Sequence, residues 1–230
     1  MSDASLTAII DKAKAVVFDP VNFYRNMAQT GGFGDPIIFV IVMAVVSGLI
    51  IALLSLIGAD LSMGMAVGFA AVVVMPVMVL IGSFIGAAIM FVIWKLMGSE
   101  KSYETAYRCV AYAAAIMPLT TLLAFIPYLG AAIKVIWSFY LLYVASIEVH
   151  AIKAGTAAIV FGVLGALMLL MNLGAEQAAR NMASQLEQMG GQFDGMGKQL
   201  QGTEDMTPAE AGKAVGEFLK GLQEAADKQK

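Results

Sequence analysis

The distribution of apolar and charged residues divides the chain into three regions. Residues 1–35 mix charged and apolar positions, residues 36–173 are almost entirely apolar, and residues 174–230 are polar and rich in Gln and Glu. An uncharged apolar segment of about 20 residues is long enough to cross the hydrocarbon core of a bilayer as a helix. The pattern therefore predicts an all-α integral membrane protein, with an amphipathic N-terminal segment and a partly helical polar tail.

Charged residues and prolines divide the middle region into five predicted transmembrane helices. Their bounds are about 37–58, 61–94, 105–125, 131–149 and 154–173. The first follows Asp35-Pro36, a pair typical of a helix start. The second is longer than one ordinary span, and we interpret it as one long helix that Pro76 can kink, with a re-entrant pair as the alternative. The turn at 126–130 joins the third and fourth spans into a hairpin.

The positions of Lys and Arg predict how the bundle is oriented. With five spans, the N-terminal segment, the connection between the second and third spans, and the link between the fourth and fifth lie on one side. These regions hold Lys12, Lys14, Arg25, Lys95, Lys101 and Lys153. Short loops rich in Lys and Arg stay in the cytoplasm. We therefore expect a cytoplasmic N-terminus and a C-terminal tail on the opposite side of the membrane.

Both flanking regions also predict helices. Apolar residues between Leu6 and Val17 recur at helical spacing, which is typical of a helix lying in the membrane interface, as a simple anchor or as a sensor of lipid or a partner. A second short helix can begin at Asp19-Pro20. In the tail, glycines between 190 and 202 are expected to separate two helical segments. The second would start at Thr207-Pro208-Ala209-Glu210, which has capping-box spacing.

Composition argues against most catalytic and cofactor chemistry. The chain is 60 % hydrophobic and 13 % charged, with a net charge of -3. Soluble domains average about 25 % charged residues. Cys109 and His150 are the single cysteine and histidine, and neither has a metal-ligating neighbour in sequence. Phosphate-binding loops and paired acids are absent from the sequence, and it has no basic excess for nucleic acid. We expect no enzyme activity, cofactor or metal.

Two charged residues inside the predicted spans are candidate functional residues, because charge in a membrane is costly. Arg108 lies one turn into the third span, and Glu148 ends the fourth at similar depth. We predict an Arg108–Glu148 pair across the hairpin, either as a structural clamp or as a polar gate for an ion path. Lys134, near the other end of the fourth span, can extend its ammonium to the interface.

Small residues form stripes on two of the predicted spans. Gly64, Gly68, Gly82 and Gly86 make two GxxxG pairs about five turns apart on one face of the second span. Ala158, Gly162 and Ala166 form a similar stripe on the fifth. Small side chains let helices approach closely. These faces are therefore candidates for helix packing, either within one chain or in a homo-oligomer.

Several segments, in this order and spacing, resemble one family. They are Asp19–Met27 (DPVNFYRNM), Gly31–Phe39 (GGFGDPIIF), Gly98–Tyr112 (GSEKSYETAYRCVAY), Pro118, Ile126–Gly130 (IPYLG), Trp137, His150 and Lys153-Ala154. Over roughly residues 15–170 the chain resembles the bacterial branch of the Yip1 domain family. The resemblance implies a five-helix domain in a bacterial inner membrane. The Rab-type GTPase partners of eukaryotic relatives are not expected, since their long N-terminal region is reduced here to about 35 residues.

These observations favour a non-enzymatic membrane scaffold or membrane-shaping protein that contacts lipids and self-associates. The alternative is a small transporter or channel with Arg108 and Glu148 as its polar gate. It would need polar side chains around a central cavity, and the sequence offers few. An enzyme acting on lipid ranks third, because no base and nucleophile pair is apparent in the sequence.

Overall fold

The computed structural model describes residues 6–56, 64–124, 126, 128–201, 212–213, 216 and 220, and in these residues every regular element is helical. Side chains are described except at 64–71, 186–189 and 191–201. The helices are α1 (Leu6–Phe18), α2 (Pro20–Asn26), α3 (Gly34–Leu56), α4 (Gly64–Leu96), α5 (Tyr103–Ala113), α6 (Met117–Leu123), α7 (Leu129–Glu148) and α8 (Ala154–Gln201), and a 3-10 turn, Ala114–Ile116, joins α5 to α6.

Five stretches of the described residues are long and apolar enough to cross a membrane, which confirms the predicted number of spans. They are Gly34–Leu56, Val72–Leu96, Tyr103–Leu123, Leu129–Glu148 and Ala154–Gln185. The third combines α5, the 3-10 turn and α6. Pro118 lies in the first turn of α6, where its missing N–H and fixed backbone angle are tolerated. The chain therefore changes helix type before the proline and still continues across the bilayer.

The long second span is a single helix over its described part. α4 continues through Pro76 to Leu96 without a break. The structure of residues 64–96 thus agrees with the interpretation of the second span as one long helix and not as a re-entrant pair. The beginning of the predicted span, at 61–63, lies outside the described residues.

The last helix differs from its prediction. α8 extends well beyond residue 173 and continues through the glycines from Gly190 to Gly197, so the predicted break at these glycines is wrong. A glycine inside a helix costs only about 1 kcal/mol relative to alanine and does not end a helix by itself. Gly202 and the 207–210 capping box lie outside the described residues, as does most of the second tail segment. The chain forms two compact units, 1–177 and 178–230.

Buried side chains concentrate at one end of the first unit, which we call the N-terminal side. It holds α1, α2, the α4–α5 loop and the α7–α8 link. The largest fully buried side chains include Trp94, Tyr24, Tyr107, Phe39, Leu141 and Val16. Ile9 and Val16 of α1 belong to the same hydrophobic cluster as residues of α5 and α7. The predicted amphipathic N-terminal helix is thus built into the bundle along one face.

The five spans are buried to different degrees. In their most apolar windows, 39 %, 50 % and 33 % of residues are buried in the first, third and fourth spans, but 6 % and 11 % in the second and fifth. Apolar side chains cover the outside of α4 and α8, among them Val73, Met78, Ile85, Ile159 and Leu170. These two helices therefore present most of their surface to surrounding hydrocarbon.

Candidate functional site

The polar side chains of the N-terminal side meet where three connections converge. These are the residues between α2 and α3, the α4–α5 loop and the α7–α8 link. Ser102 caps α5 by accepting a hydrogen bond from the Thr105 backbone N–H. Gly98 (φ 92°) adopts a left-handed conformation that favours glycine and ends the turn after α4. The loops are thus held by local capping and turn geometry, which fixes the side chains between them.

Arg108 is 2 % exposed and is paired within its own helix. Its Nε lies 3.6 Å from Glu104 Oε1, and Nη2 donates to the Gly32 carbonyl at 3.0 Å. Glu104 Oε1 in turn accepts from the Gly32 backbone N–H at 2.7 Å. A Cβ on Gly31 (φ 118°) would lie 3.2 Å from Arg108 Nη2. Glycine therefore lets the loop close over the guanidinium, which joins that loop to α5.

Glu148 has a different partner from the one predicted. Arg25 of α2 holds it with two hydrogen bonds, Nε to Oε2 at 2.9 Å and Nη2 to Oε1 at 3.1 Å. The hydrogen bond to Glu148, and then its charge, raise the pKa of Arg25. The Arg108–Glu148 pair is not formed, and each residue instead anchors part of the N-terminal segment. The two lie at similar depth, but depth does not determine which side of a helix faces which neighbour.

His150 lies in a buried cluster that spacing in sequence did not indicate. Ser99 Oγ is 2.7 Å from its Nδ1, and Cys109 Sγ is 3.9 Å from its Nε2. The Trp94 ring stacks on the imidazole with centroids 3.9 Å apart, and Trp94 Nε1 donates to Ser146 Oγ at 2.7 Å. Cys109 is distant from His150 in sequence, but the fold brings the two side chains together across 41 positions.

Burial determines what this cluster can do chemically. Desolvation, and then the charges of Lys101 and Lys95, lower the pKa of His150 to about 4, so the ring is neutral at pH 7. His150 is 4 % exposed and Cys109 0 %. A nucleophile and a base closed off in this way cannot reach a substrate. Among the described residues, no group of three or more His, Cys, Asp or Glu could hold a metal ion. The cluster packs the helix ends together.

Tyr24 connects α2 to the transmembrane core. It is 0 % exposed, and its hydroxyl donates to the Cys109 carbonyl at 3.1 Å. Burial, followed by the nearby Cys109, raises the pKa of Tyr24 well above 10.0. Phe23 packs edge-on against Tyr24 and Tyr112 at 5.4 and 5.3 Å between ring centroids. Both aromatic residues of α2 therefore fix it to the bundle.

The predicted glycine face on α4 has two kinds of environment. At Gly86, an added Cβ would touch Val110 of α5 at 4.0 Å, so this position packs within the chain. At Gly82, an added Cβ would meet nothing within 4 Å. The surroundings of Gly64 and Gly68 lie outside the described side chains. The face is thus partly an internal contact and, at Gly82, an open surface.

Two cavities lie between α7 and α8. The first, an apolar groove of about 330 Å³, is lined by Val135, Phe139 and Tyr143 of α7 and by Ala158, Gly162 and Leu169 of α8. The small-residue stripe predicted on the fifth span therefore faces this groove. The second, of about 250 Å³, is polar and lies at the side of the bundle opposite α1. It is lined by Thr121, Lys134, Asn172 and Glu176, among others.

Comparison with protein families gives one match over most of the chain. The model of the Yip1 domain matches residues 14–174. This range contains the first four spans completely and the fifth span as far as residue 174. It also contains the polar residues of the N-terminal side. Comparisons with curated proteins and with solved structures found no match. The matched range ends soon after the last predicted span, so the polar tail lies beyond it.

Proposed function

The chain belongs to the Yip1 domain family of multi-pass membrane proteins, and on this premise we propose that it is a non-enzymatic protein that self-associates and shapes or organises the bilayer. The observation that carries the proposal is that α1 and α2 pack against α5 and α7 in one buried cluster. α1 and α2 add protein to the bundle at the N-terminal side, where most buried side chains also lie. A helix embedded in one leaflet widens that leaflet relative to the other.

The outer surface of α1 has the chemistry needed to enter a leaflet. Its inner residues Ile9 and Val16 are 8 % and 0 % exposed, whereas Leu6 and Phe18 are 63 % and 81 % exposed. Exposed apolar side chains on a helix joined to a membrane bundle are stabilised when they enter acyl chains. The proposal therefore assigns these two residues the role of inserting into the leaflet next to the N-terminal side.

The distribution of charge supports a cytoplasmic location for this side. Lys12 belongs to the N-terminal segment, Lys95 to the last turn of α4, Lys101 to the α4–α5 loop and Lys153 to the α7–α8 link. The positive-inside rule places such a side in the cytoplasm. With five spans, residues after α8 lie on the other face, and we propose a bacterial inner membrane as the location.

Self-association is supported by a surface of α4 that the described residues leave uncovered. The open position at Gly82 lies on α4, the least buried span. A glycine without neighbours on a membrane helix allows close approach of a second helix. This face is the proposed contact with another copy of the chain.

The transporter alternative has less support from the geometry. Arg108 and Glu148 are held in separate ion pairs, with Glu104 and Arg25. Neither residue lines either of the two cavities between α7 and α8. A polar gate formed by these two residues would require both ion pairs to rearrange.

Reconstitution of the full chain into vesicles tests the proposal. We expect the wild-type protein to reduce vesicle diameter or form tubules in cryo-electron micrographs as its density rises. Phe18→Ser should lose most of this effect, because it removes an apolar side chain that is 81 % exposed. Lys14→Ser on the same helix is the matched control and should act like the wild type.

Three outcomes would contradict the proposed membrane-shaping function. The first is that vesicle shape does not change at any protein density. The second is that Phe18→Ser and wild-type protein act equally. The third is substrate-specific flux into the vesicles that Arg108→Ala abolishes, which would favour the transporter. A single photobleaching step per particle in the membrane would contradict self-association.

A further inference from the structure

The polar cavity lies at the side opposite α1, beside the end of the fifth predicted span, where we expect lipid headgroups. It is enclosed by the end of α6, the beginning of α7 and residues 172–176 of α8, near the end of the fifth predicted span. Gly130 makes this corner possible, because an added Cβ would overlap the Leu123 carbonyl oxygen. The close approach of α7 to the end of α6 brings Lys134 beside Thr121 in the cavity wall.

The cavity wall contains one cation and one carboxylate. Lys134 forms no ion pair within the part of the chain that the structure describes. Glu176 Oε1 accepts from the Tyr128 backbone N–H at 2.9 Å, and a carboxylate has further acceptor capacity. A simple anion would meet repulsion from Glu176, and a simple cation would meet repulsion from Lys134. A zwitterion with both charges complements the wall.

Two further polar side chains of the wall can accept hydrogen bonds. Thr121 Oγ1 donates its proton to the Met117 carbonyl at 2.8 Å, and Asn172 Nδ2 donates one of its two N–H groups to the Met168 carbonyl at 2.9 Å. The Thr121 hydroxyl oxygen and the Asn172 amide oxygen are left to accept, and one N–H of Asn172 is left to donate. Acceptors of this kind match a primary ammonium, which has three N–H donors. The trimethylammonium of a choline headgroup has none and would leave them without partners.

An apolar groove precedes this cavity along the same stripe of α8. Gly162, Gly165 and Leu169 line the groove, and Asn172 and Glu176 line the polar cavity, so their spacing of three and four residues keeps them on one helix face. The groove has a volume of about 330 Å³. Hydrocarbon is the chemistry that such a groove accepts inside a bilayer.

We propose that this cavity and groove bind a diacyl ethanolamine phospholipid, with Lys134 on the phosphate, Glu176, Thr121 and Asn172 around the ammonium, and an acyl chain between α7 and α8. The inference is independent of whether the protein changes membrane shape. It assigns a specific lipid to a side of the bundle that is distinct from the polar residues of the N-terminal side.

Native mass spectrometry of the purified full-length protein tests the assignment. The protein is titrated with phosphatidylethanolamine, phosphatidylcholine and phosphatidylglycerol of identical acyl chains, and with soluble glycerophosphoethanolamine as a competitor. We expect phosphatidylethanolamine to bind about tenfold more tightly than the other two lipids, because hydrogen bonds to charged groups are the strong ones. Glu176→Gln should reduce that preference to near equality, because it removes the carboxylate beside the ammonium. Lys134→Gln should weaken the binding of all three lipids, because each of them carries the phosphate.

The controls separate loss of binding from loss of fold. Lys153→Gln and Glu100→Gln alter exposed charges at the N-terminal side and should retain the preference. Lys134→Arg keeps the cation and should also retain it, and all variants are checked for an unchanged melting temperature. Equal binding of the three lipids by the wild type, an unchanged preference in Glu176→Gln, or an unchanged affinity for all three lipids in Lys134→Gln would overturn the proposal. Competition by glycerophosphoethanolamine as strong as that of the lipid would overturn the assignment to a membrane lipid.

Discussion

The two sides of the membrane bundle are built in different ways. At the N-terminal side, the ends of the spans are joined to α1 and α2 by buried aromatic rings and by the partners of Arg108 and Glu148. Away from these contacts, an apolar groove runs between α7 and α8 towards a polar cavity at the opposite side, and an added Cβ at Gly162 in the groove would meet nothing within 4 Å. The difference indicates that one side supplies the stability of the fold, while the other leaves room for molecules of the membrane.

The largest effect should come from truncating the centre of the N-terminal side. Trp94→Ala removes a fully buried ring that stacks on His150 and donates to Ser146. We expect a loss of about 3–5 kcal/mol in the free energy of unfolding, as for other buried large-to-small changes. Denaturant titration in detergent measures this loss, with circular dichroism as the signal because the variant lacks a tryptophan that fluorescence would need. Val92→Ala on the same helix, 55 % exposed, should cost less than about 1 kcal/mol.

Arg108→Ala should cause the second-largest loss in the free energy of unfolding. It leaves Glu104 and the Gly32 carbonyl without a cationic partner at a nearly buried position, which typically costs about 3 kcal/mol. Arg108→Lys keeps the charge but not the planar fork that reaches both partners, so we expect a loss of about half that size. The same unfolding titration measures both variants. Equal stability of Arg108→Ala and wild type would show that the contact between Arg108 and the α2–α3 loop does not stabilise the fold.

Acid should weaken the N-terminal side through His150. Its pKa is lowered to about 4 in the fold, from 6.5 in an unfolded chain, so the unfolded state binds the proton first. The stabilisation is complete above pH 6.5 and is lost as pH falls through about 4, and for a shift of this size it is at most about 3 kcal/mol. Melting temperatures between pH 7 and pH 4 measure this loss. His150→Gln should show a smaller decline over the same range, and an identical decline would contradict the assignment.

The smallest effects should occur along the apolar groove between α7 and α8. Gly162→Ala places its Cβ in open space, so the gain in helix propensity should stabilise the protein by about 0.5–1 kcal/mol. Gly165→Ala places its Cβ 3.2 Å from Phe139 Cγ and should lose that gain. Melting temperatures of the two variants, measured in the same detergent, compare them. A strong destabilisation by Gly162→Ala would indicate that the groove closes in solution.

The sequence was sufficient for the spans but not for the contacts between them. Runs without charge locate membrane helices because the cost of burying charge in hydrocarbon dominates every other preference. Arg108 has one partner four residues away, Glu104, but its other partner, Gly32, is far away in sequence. The partner of Glu148, Arg25, is also far away in sequence, and both distant contacts depend on which way each helix face turns. Cys109 and Trp94 reach His150 in the same way. The sequence predicted only local features, such as the start of α2 at the N-cap Asp19 and the following Pro20.

The buried hydroxyl of Tyr24 has a consequence for how long α1 and α2 stay at the membrane surface. Amphipathic peptides that are held only by their own apolar face dissociate from a bilayer and return to it, so their occupancy follows their concentration in water. Here Tyr24 is enclosed in the bundle and hydrogen-bonded to Cys109, and Val16 is likewise enclosed. The residence time of these helices on the leaflet therefore equals that of the whole chain, and their surface density is set by gene expression rather than by partitioning.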